Sequence, residues 1–255
     1  MAVLAAERRR FIIQILEKEH CVKVADLCKR FDVADETIRR DLRQLEAEGL
    51  VDRMHGGAVL SNRVKVAYPY HVRKIQAPAE KQRIGKVAAQ LVCDGSTVIL
   101  DNGTTTFEVA RCLRGKRRLT VVTTSLPIAL EMADHPDTTV IVTGGVLDRD
   151  SQSLIGPDAE EFFRKLRVDL AFLGASGVSV ERGFTASNVY DAQIKSVMIK
   201  AATASYVVAD GSKIGQSSLV RFSSLGEVRG LVTDSTADST ALDGLREAGL
   251  NIMLA

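Results

Sequence analysis

Seven short apolar runs constrain the fold of this chain, because turn residues or stretches of helical spacing separate each run from the next. The runs lie at 97–100, 120–122, 139–142, 169–173, 206–209, 230–232 and 251–254. Helical spacing is found at 81–92, 107–113, 128–133, 159–166, 192–204 and 239–248. Continuous apolar strands that alternate with helices are typical of a parallel sheet covered by helices on both faces. The pattern predicts an α/β fold with a mostly parallel sheet for residues 80–255.

The first 60 residues carry a different pattern, which predicts a separate small domain of helices and one hairpin. Apolar residues recur at helical spacing in three stretches, and Gly49 ends the third. The stretches are 8–19, 24–31 and 35–48. A short turn at 32–34 separates the second from the third, and Gly56 and Gly57 interrupt the apolar run 50–60 as in a β-hairpin. Residues 61–79, with two prolines and no clean period, are predicted to be a linker.

The third predicted helix presents three arginines on the side opposite its apolar stripe. Arg39, Arg40 and Arg43 lie on one arc of that helix. A helix that buries one stripe and exposes three guanidinium groups fits the major groove of double-stranded DNA, where arginine binds guanine edges or phosphates. Asp35 or Thr37 is positioned to cap the helix start. The remaining candidate DNA contacts are Thr37 and, in the hairpin, Arg53, His55, Gly56 and Gly57.

Charge and composition exclude several classes of function. The net charge of +2 does not identify a partner, but residues 61–86 hold seven Lys or Arg against one acid. The four cysteines form no CxxC pair, so neither zinc nor a disulfide framework is predicted, and all four are expected to be small buried residues. No apolar run approaches the roughly 20 residues of a membrane span. In the first ten residues the positive charges follow the apolar run, whereas in a signal peptide they precede it. We expect a cytoplasmic protein without membrane, metal or cofactor.

Four polar loops follow predicted strands and are candidates for one binding site. They are 101–106, 123–125, 174–177 and 210–213, and Lys195 lies on a helix that could reach the same place. In parallel sheets, ligands bind outside the carboxyl ends of the strands. Backbone amides and hydroxyls at a helix start are the groups that bind phosphate. The loops together predict a small, anionic, hydroxylated ligand.

Residues 31–60, FDVADETIRRDLRQLEAEGLVDRMHGGAVL, resemble the winged helix-turn-helix signature of the DeoR family of bacterial sugar-metabolism regulators. The family usually has Ser where this chain has Ala34. The resemblance continues through residues 80–234 in the motifs EKQRIGKVAAQLVCDGSTVILDNGTTTFEVA, TVVTTS, VTGG, DLAFLGASG, GFTASNVYDAQIK and ADGSKIG. These motifs are similar to the family's effector domain, which has a ribose-5-phosphate-isomerase-like fold.

The resemblance implies a phosphorylated sugar as effector and assigns its binding residues. Asp101, Gly103, Thr104 and Thr105 would hold the phosphate or nearby oxygens, and the pocket would be completed by Thr124, Ser125, Gly174, Lys195 and Lys213. The family often has Asn at the position of Thr124. The whole chain is thus expected to combine an N-terminal winged helix-turn-helix domain with a mostly parallel-sheet α/β sensor domain.

Three functions remain as alternatives. The first is a transcription regulator, expected to be a repressor of a carbohydrate-metabolism operon, whose affinity for operator DNA depends on the effector and which acts as a homo-oligomer, a dimer or tetramer. The second is a sugar-phosphate isomerase, which needs a base and a partner acid, although the loop 174–177 holds no acid. The third is a constitutive DNA-binding protein whose second domain only oligomerises.

Overall fold

The computed structural model describes residues 4–19, 21–47, 50–54, 56–60 and 68–255 and divides the chain into two units. The first unit is Met1–Tyr68 and the second is Pro69–Ala255. None of the helices within the described ranges is long and apolar enough to cross a bilayer.

The described residues of the first unit form three helices and a small antiparallel sheet, and the three helices agree with the sequence prediction. Its helices are α1 (Ala5–Glu19), α2 (Val24–Phe31) and α3 (Asp35–Ala47), and its strands are β1 (Cys21–Lys23), β2 (Val51–Met54) and β3 (Gly57–Leu60). The strand order is β1-β3-β2, so the predicted hairpin β2–β3 is present and is extended by the unpredicted β1. Asp32 ends α2 in the left-handed conformation and makes the tight turn before α3.

A buried ion pair joins the first helix of this unit to the third. The Nε atom of Arg8 donates to Oδ2 of Asp41 at 2.5 Å, and both side chains are almost fully buried. The Nη1 atom of Arg9 lies 3.6 Å from the other carboxylate oxygen. Asp41 is buried next to Leu42, and the opposite side of α3 is exposed to solvent.

The second unit is built on a seven-stranded parallel sheet, which confirms the predicted fold class. Its strands are β4 (Thr97–Leu100), β5 (Leu119–Thr123), β6 (Thr138–Val142), β9 (Val168–Gly174), β12 (Ala202–Val208), β14 (Gly230–Thr233) and β15 (Ile252–Leu254). Their order across the sheet is β15-β14-β12-β9-β4-β5-β6. Each of the seven apolar runs lies in or overlaps one of these strands. In β4, Val98 and Leu100 pack in one hydrophobic cluster and Ile99 packs in another, which is why the run is apolar without alternation.

Seven helices accompany the second unit. They are α4 (Tyr70–Ile75), α5 (Pro78–Gln90), α6 (Thr104–Cys112), α7 (Leu126–Ala133), α8 (Pro157–Arg164), α9 (Val189–Ala201) and α10 (Ser239–Glu247). The helices α5 and α6 approach so closely that a Cβ atom on Gly85 would lie 2.6 Å from the carbonyl oxygen of Glu108. This contact leaves no room for a side chain at position 85. It holds α5 against α6, the helix that follows strand β4.

Three sequence-based expectations are wrong. The helix predicted over 192–204 ends at Ala201, because the next residues pair with β9 as strand β12. The linker predicted over 61–79 lies outside the described residues as far as residue 67, and from Pro69 onward it belongs to the second unit and forms α4 and the start of α5. The four cysteines were all expected to be buried, but Cys21 and Cys93 are exposed and Cys28 and Cys112 are only partly buried.

In the second unit, five short strands were not predicted, because each is only three or four residues long and lies in an antiparallel pairing. They are β7 (Val146–Asp148), β8 (Ser153–Ile155), β10 (Gly177–Ser179), β11 (Gly183–Ala186) and β13 (Val220–Ser223). The first two form a hairpin and the other three a separate sheet.

The ion pair between α1 and α3 yields a prediction about stability. Replacing Asp41 with Ala removes the buried carboxylate partner of Arg8, and breaking a buried pair on one side costs about 3–5 kcal/mol. We expect calorimetry of the full chain to show a lower melting temperature for the first unit only. The control is Asp26→Ala, which removes an exposed carboxylate from α2. Equal effects of the two substitutions would contradict this account of Asp41.

Candidate functional site

The exposed side of α3 carries the predicted arginine face. Arg40 and Arg43 are exposed and Arg39 is partly exposed, whereas Ile38 and Leu42 on the other side are buried. The helix begins at Asp35 as predicted, and the carbonyl oxygen of Ala34 accepts the backbone N–H groups of Thr37 and Ile38 at 2.9 and 3.3 Å. The guanidinium groups therefore point away from the core.

Two of these arginines pair with acids at the start of their own helix. Arg39 binds the carboxylate of Asp35, and Arg43 binds that of Glu36. The bond to Asp35 raises the pKa of Arg39. Within the described part of the chain, Arg40 makes no ion pair. Exposed ion pairs contribute little free energy, so a DNA phosphate can replace these carboxylates as the partner.

The hairpin places Arg53 beside this helix. It also shows why a glycine is needed at position 57, where the backbone is closely packed. Nη1 of Arg53 on β2 lies 3.5 Å from Oε2 of Glu46 on α3. Gly56 is exposed with a φ of +81°, and Gly57 is buried where a Cβ would lie 2.0 Å from the carbonyl oxygen of Val22. The close approach at Gly57 is thus between two strands of the protein. His55 lies outside the described residues.

In the second unit, the strand order reverses between the neighbouring strands β4 and β9. From β4 the chain continues to β5 and β6 on one side, and from β9 it continues to β12, β14 and β15 on the other. Ligands of open α/β sheets bind at the carboxyl ends of strands at such a switch point. The carboxyl ends of β4 and β9 are where four of the predicted effector residues meet.

Asp101 joins the two strands at this point. Its Oδ1 accepts from the backbone N–H of Gly103 at 2.7 Å and from Oγ1 of Thr106 at 3.0 Å, and its Oδ2 accepts from the N–H of Gly174 at 2.9 Å. Nζ of Lys195 donates to the same Oδ2. The carboxylate is 1% exposed and each oxygen has two protein donors. Asp101 therefore organises the loop after β4 and holds the lysine.

Lys195 is fully enclosed and remains charged. Burial alone would lower its pKa, but the carboxylates of Asp101 and Asp191 outweigh burial and hold the pKa of Lys195 above its ordinary value. Oδ1 of Asp191 lies 3.4 Å from the ammonium, and the ring of Phe222 lies 5.7 Å from it. Lys195 is thus a cation held at the switch point, with its positive charge balanced by two carboxylates.

Comparison with known proteins places both units in one family. The model of the DeoR-like helix-turn-helix domain matches residues 8–64, and that of the DeoR C terminal sensor domain matches residues 76–235. The chain belongs to the DeoR family of DNA-binding transcriptional regulators. The resemblance noted in the sequence is thereby confirmed.

Relatives align over nearly the full length of this DeoR-family chain. The HTH-type transcriptional regulator GlpR of Haloferax volcanii is 37% identical over 251 residues, which are 98% of each chain. The glycerol-3-phosphate regulon repressor of Escherichia coli is 30% identical over 248 residues, 97% of this chain and 98% of that protein. Among solved structures, ribose 5-phosphate isomerase A of Methanocaldococcus jannaschii is 21% identical with a TM-score of 0.39, covering 52% of each chain.

Four other predicted effector residues of the DeoR-family sensor lie at the starts of helices α6 and α7. Thr104 and Thr105 begin α6 and are buried. The carbonyl oxygen of Thr124 accepts from the N–H of Leu154 at 2.9 Å, and the hydroxyl of Ser125 caps α7 by accepting from Ile128. These two residues thus hold β8 and α7 in place.

The loop after β12 brings the last predicted effector residue to the site. Lys213 ends a 3-10 turn and is partly exposed. Asp234, fully buried at the end of β14, accepts the N–H of Gly211 at 2.8 Å and so holds this turn.

The sequence reasoning missed two cations of the site, Arg73 and Lys81. Both lie in the basic stretch 61–86, which was assigned to the predicted linker and an amphipathic helix. Lys81 is 4% exposed, and its Nζ donates to the carbonyl oxygens of Arg73 at 2.6 Å and Gln76 at 2.8 Å. A signal was present, because Lys81 shares the helical face of the buried residues Ile84 and Ala88. A lysine at a core-facing position indicates a charge with a specific partner.

The buried pair at the switch point yields a double-mutant test. Asp101→Asn leaves Lys195 without its main counter-charge, and Lys195→Met leaves the Asp101 carboxylate buried, so each is expected to lower the free energy of unfolding of the second unit by about 3–5 kcal/mol. The double variant should lose at least about 1 kcal/mol less than the sum, because contacting residues couple. Urea unfolding of the full chain measures all three. Additive losses would show that the two side chains act independently.

Proposed function

We propose that this chain is a repressor of a carbohydrate-metabolism operon whose affinity for operator DNA is set by a phosphorylated sugar bound in the second unit. The observation that carries the effector assignment is the convergence of buried and half-buried cations at the switch point of the sheet. Phosphate groups bind where backbone amides of a helix start meet such cations. Lys195, Lys213 and the start of α6 supply these groups. Asp101 holds Lys195 and the start of α6, and Asp234 holds the turn that carries Lys213.

The exposed arginine face of α3 is proposed as the surface that reads the major groove. Arg40 supplies an exposed guanidinium beside those of Arg39 and Arg43, and Arg53 of the hairpin extends the positive surface. Winged domains of this kind contact paired half-sites as oligomers, so we infer a homo-oligomer, dimer or tetramer, on double-stranded DNA. Effector and operator are linked only through their preference for different conformations of the same protein.

Catalysis is not part of this proposal. An aldose–ketose isomerase needs a carboxylate with a lone pair directed at the substrate proton. Both oxygens of Asp101 are already engaged with two donors each, and residues 174–177 carry no acid. Turnover of a sugar phosphate by the purified protein would refute this view. A DNA affinity that no sugar phosphate changes would favour the constitutive DNA-binding alternative.

The arginine face is tested by substituting Arg40 with Ala. Loss of a phosphate contact should weaken binding to an operator duplex selected from random-sequence DNA and reduce the salt slope of log K by about 1. Fluorescence anisotropy at several salt concentrations measures both quantities. The matched control is Arg246→Ala, an exposed arginine on α10. Unchanged affinity and slope for the Arg40 variant would refute the assignment of α3 as the recognition helix.

The effector site is tested by substituting Lys213 with Ala. A charge-assisted hydrogen bond contributes about 1.5–3 kcal/mol, so the effector concentration needed for half of the change in operator affinity should rise about 10-fold or more. Operator affinity without sugar phosphate should stay within twofold of the parent chain. Lys200→Ala on α9 is the control, because that lysine is exposed. A Lys213 variant that responds at the parental effector concentration would count against this pocket.

A further inference from the structure

The short helix α4 lies directly after the first unit, and polar contacts hold its end against the sensor site. Its first residue follows the unit boundary by two positions. The carbonyl oxygen of Arg73 accepts from Nζ of Lys81 at 2.6 Å and from Oγ1 of Thr104 at 3.5 Å. Because one oxygen contacts both groups, the Lys81 ammonium lies beside the residue that begins α6. The end of α4 and the proposed phosphate site therefore share a cation.

The ammonium of Lys81 is buried without a carboxylate in hydrogen-bond contact among the described residues. Its hydrogen-bond acceptors are the neutral carbonyl oxygens at the end of α4. The charges that face it are Arg73 of α4, Glu108 of α6, and Asp210 and Lys213 of the loop after β12. The pKa of Lys81 is lowered to about 8, chiefly by burial, with the two neighbouring cations also lowering it and the two acids opposing the shift. A bound anion would supply the counter-charge that this site lacks.

We call the arrangement in which the end of α4 contacts Lys81 and Thr104 the docked position. Two features raise the free energy of this arrangement. The Tyr70 side chain is 3% exposed, and its hydroxyl makes no hydrogen bond within the described part of the chain. A buried polar group without a partner costs about 1–3 kcal/mol. Ala77, between α4 and α5, has a φ of 45° in the left-handed region, which disfavours residues with a Cβ. Segments held under such strain are typical of switches.

We propose that Lys81 is an effector-binding residue and that the effector's anionic group draws its ammonium away from the carbonyl oxygens of α4, which releases α4. This inference rests on the proposed function of the site. A phosphate dianion offers the same hydrogen bonds as the carbonyl oxygens and adds a Coulomb attraction that is strong in a buried site. Release of α4 changes the segment that leads to the first unit, which couples the pocket to the DNA-binding domain through the chain itself.

The release of α4 is tested directly by hydrogen exchange on the full-length protein. The probes are phosphorylated three- to six-carbon sugars and polyols, with the unphosphorylated compounds and inorganic phosphate as controls. A compound that raises the melting temperature should also make the amides of residues 72–77 exchange at least about fivefold faster, because local opening exposes them. Binding with unchanged or slower exchange of these amides would overturn the proposal.

Two variants test the same claim through affinity. Lys81→Met should weaken effector binding about 10-fold or more and speed the exchange of residues 72–77 without effector, whereas Lys86→Met, on the exposed side of α5, should do neither. Tyr70→Phe should weaken effector binding about 3- to 10-fold, because it removes the cost of the docked position and leaves all charges in place. Parental affinity in both variants would refute the role of Lys81 and of α4.

The pH dependence of binding provides a third readout. The pKa of Lys81 is lowered, so its amine loses the charge as the pH rises through about 8, and effector affinity should fall over that range with proton uptake on binding. The Lys81→Met variant should lose this dependence and Lys86→Met should keep it. If no compound of the panel binds, both this inference and the proposed function fail. If a compound binds and changes operator affinity while α4 and the pH profile stay unaffected, only this inference fails.

Discussion

The buried carboxylate of Asp101 is the contact on which the second unit's site depends. It lies between β4 and β9, where the strand order reverses. It accepts four hydrogen bonds, two from residues 103–106 after β4, one from the end of β9 and one from α9. A buried carboxylate and a buried ammonium are each costly alone, and their attraction makes both tolerable. Asp101 and Lys195 therefore hold the loop after β4, the end of β9 and helix α9 in one arrangement. The remaining polar groups of the site are placed relative to this pair.

The two units use positive charge in opposite ways. In the first unit, Arg39, Arg40 and Arg43 stand on the exposed side of α3, because Asp41 and the apolar stripe occupy the inner side. Exposed arginines can exchange a local carboxylate for a DNA phosphate at little cost. In the second unit, Lys81 and Lys195 are buried, and a buried cation requires a partner at all times. This difference suits the first unit to a long polyanion and the second to a small anion.

The position of α4 gives a physical basis for communication within one chain. A ligand can shift a conformational equilibrium only by its different affinity for the two states. In the proposed switch, the Lys81 ammonium, which here binds the carbonyl oxygens at the end of α4, would supply that difference by binding the effector's anionic group instead. The Tyr70 hydroxyl, without a partner among the described residues, and the left-handed Ala77 both raise the free energy of the arrangement that such a switch would leave.

The local pattern of residues was enough to predict most of the fold. The seven apolar runs became the seven parallel strands, because residues on both faces of a doubly covered strand must be apolar whatever their neighbours. The three N-terminal helices and the hairpin followed from period and turn residues in the same way. The strand-end loops were correctly placed at one edge of the sheet, since parallel strands end together.

Contacts between distant residues decided the rest. The residues 202–204 have helical propensity, yet hydrogen bonding to β9 makes them strand. The contact between Asp101 and Lys195 joins residues 94 positions apart, and the contacts of Lys81 depend on α4, a helix in the segment predicted to be a linker. Residue types and spacing encode which face is buried, because burial follows from the period of each element. They do not encode which groups meet across the sheet, because that is set by the order of the strands and by the balance of charges enclosed together.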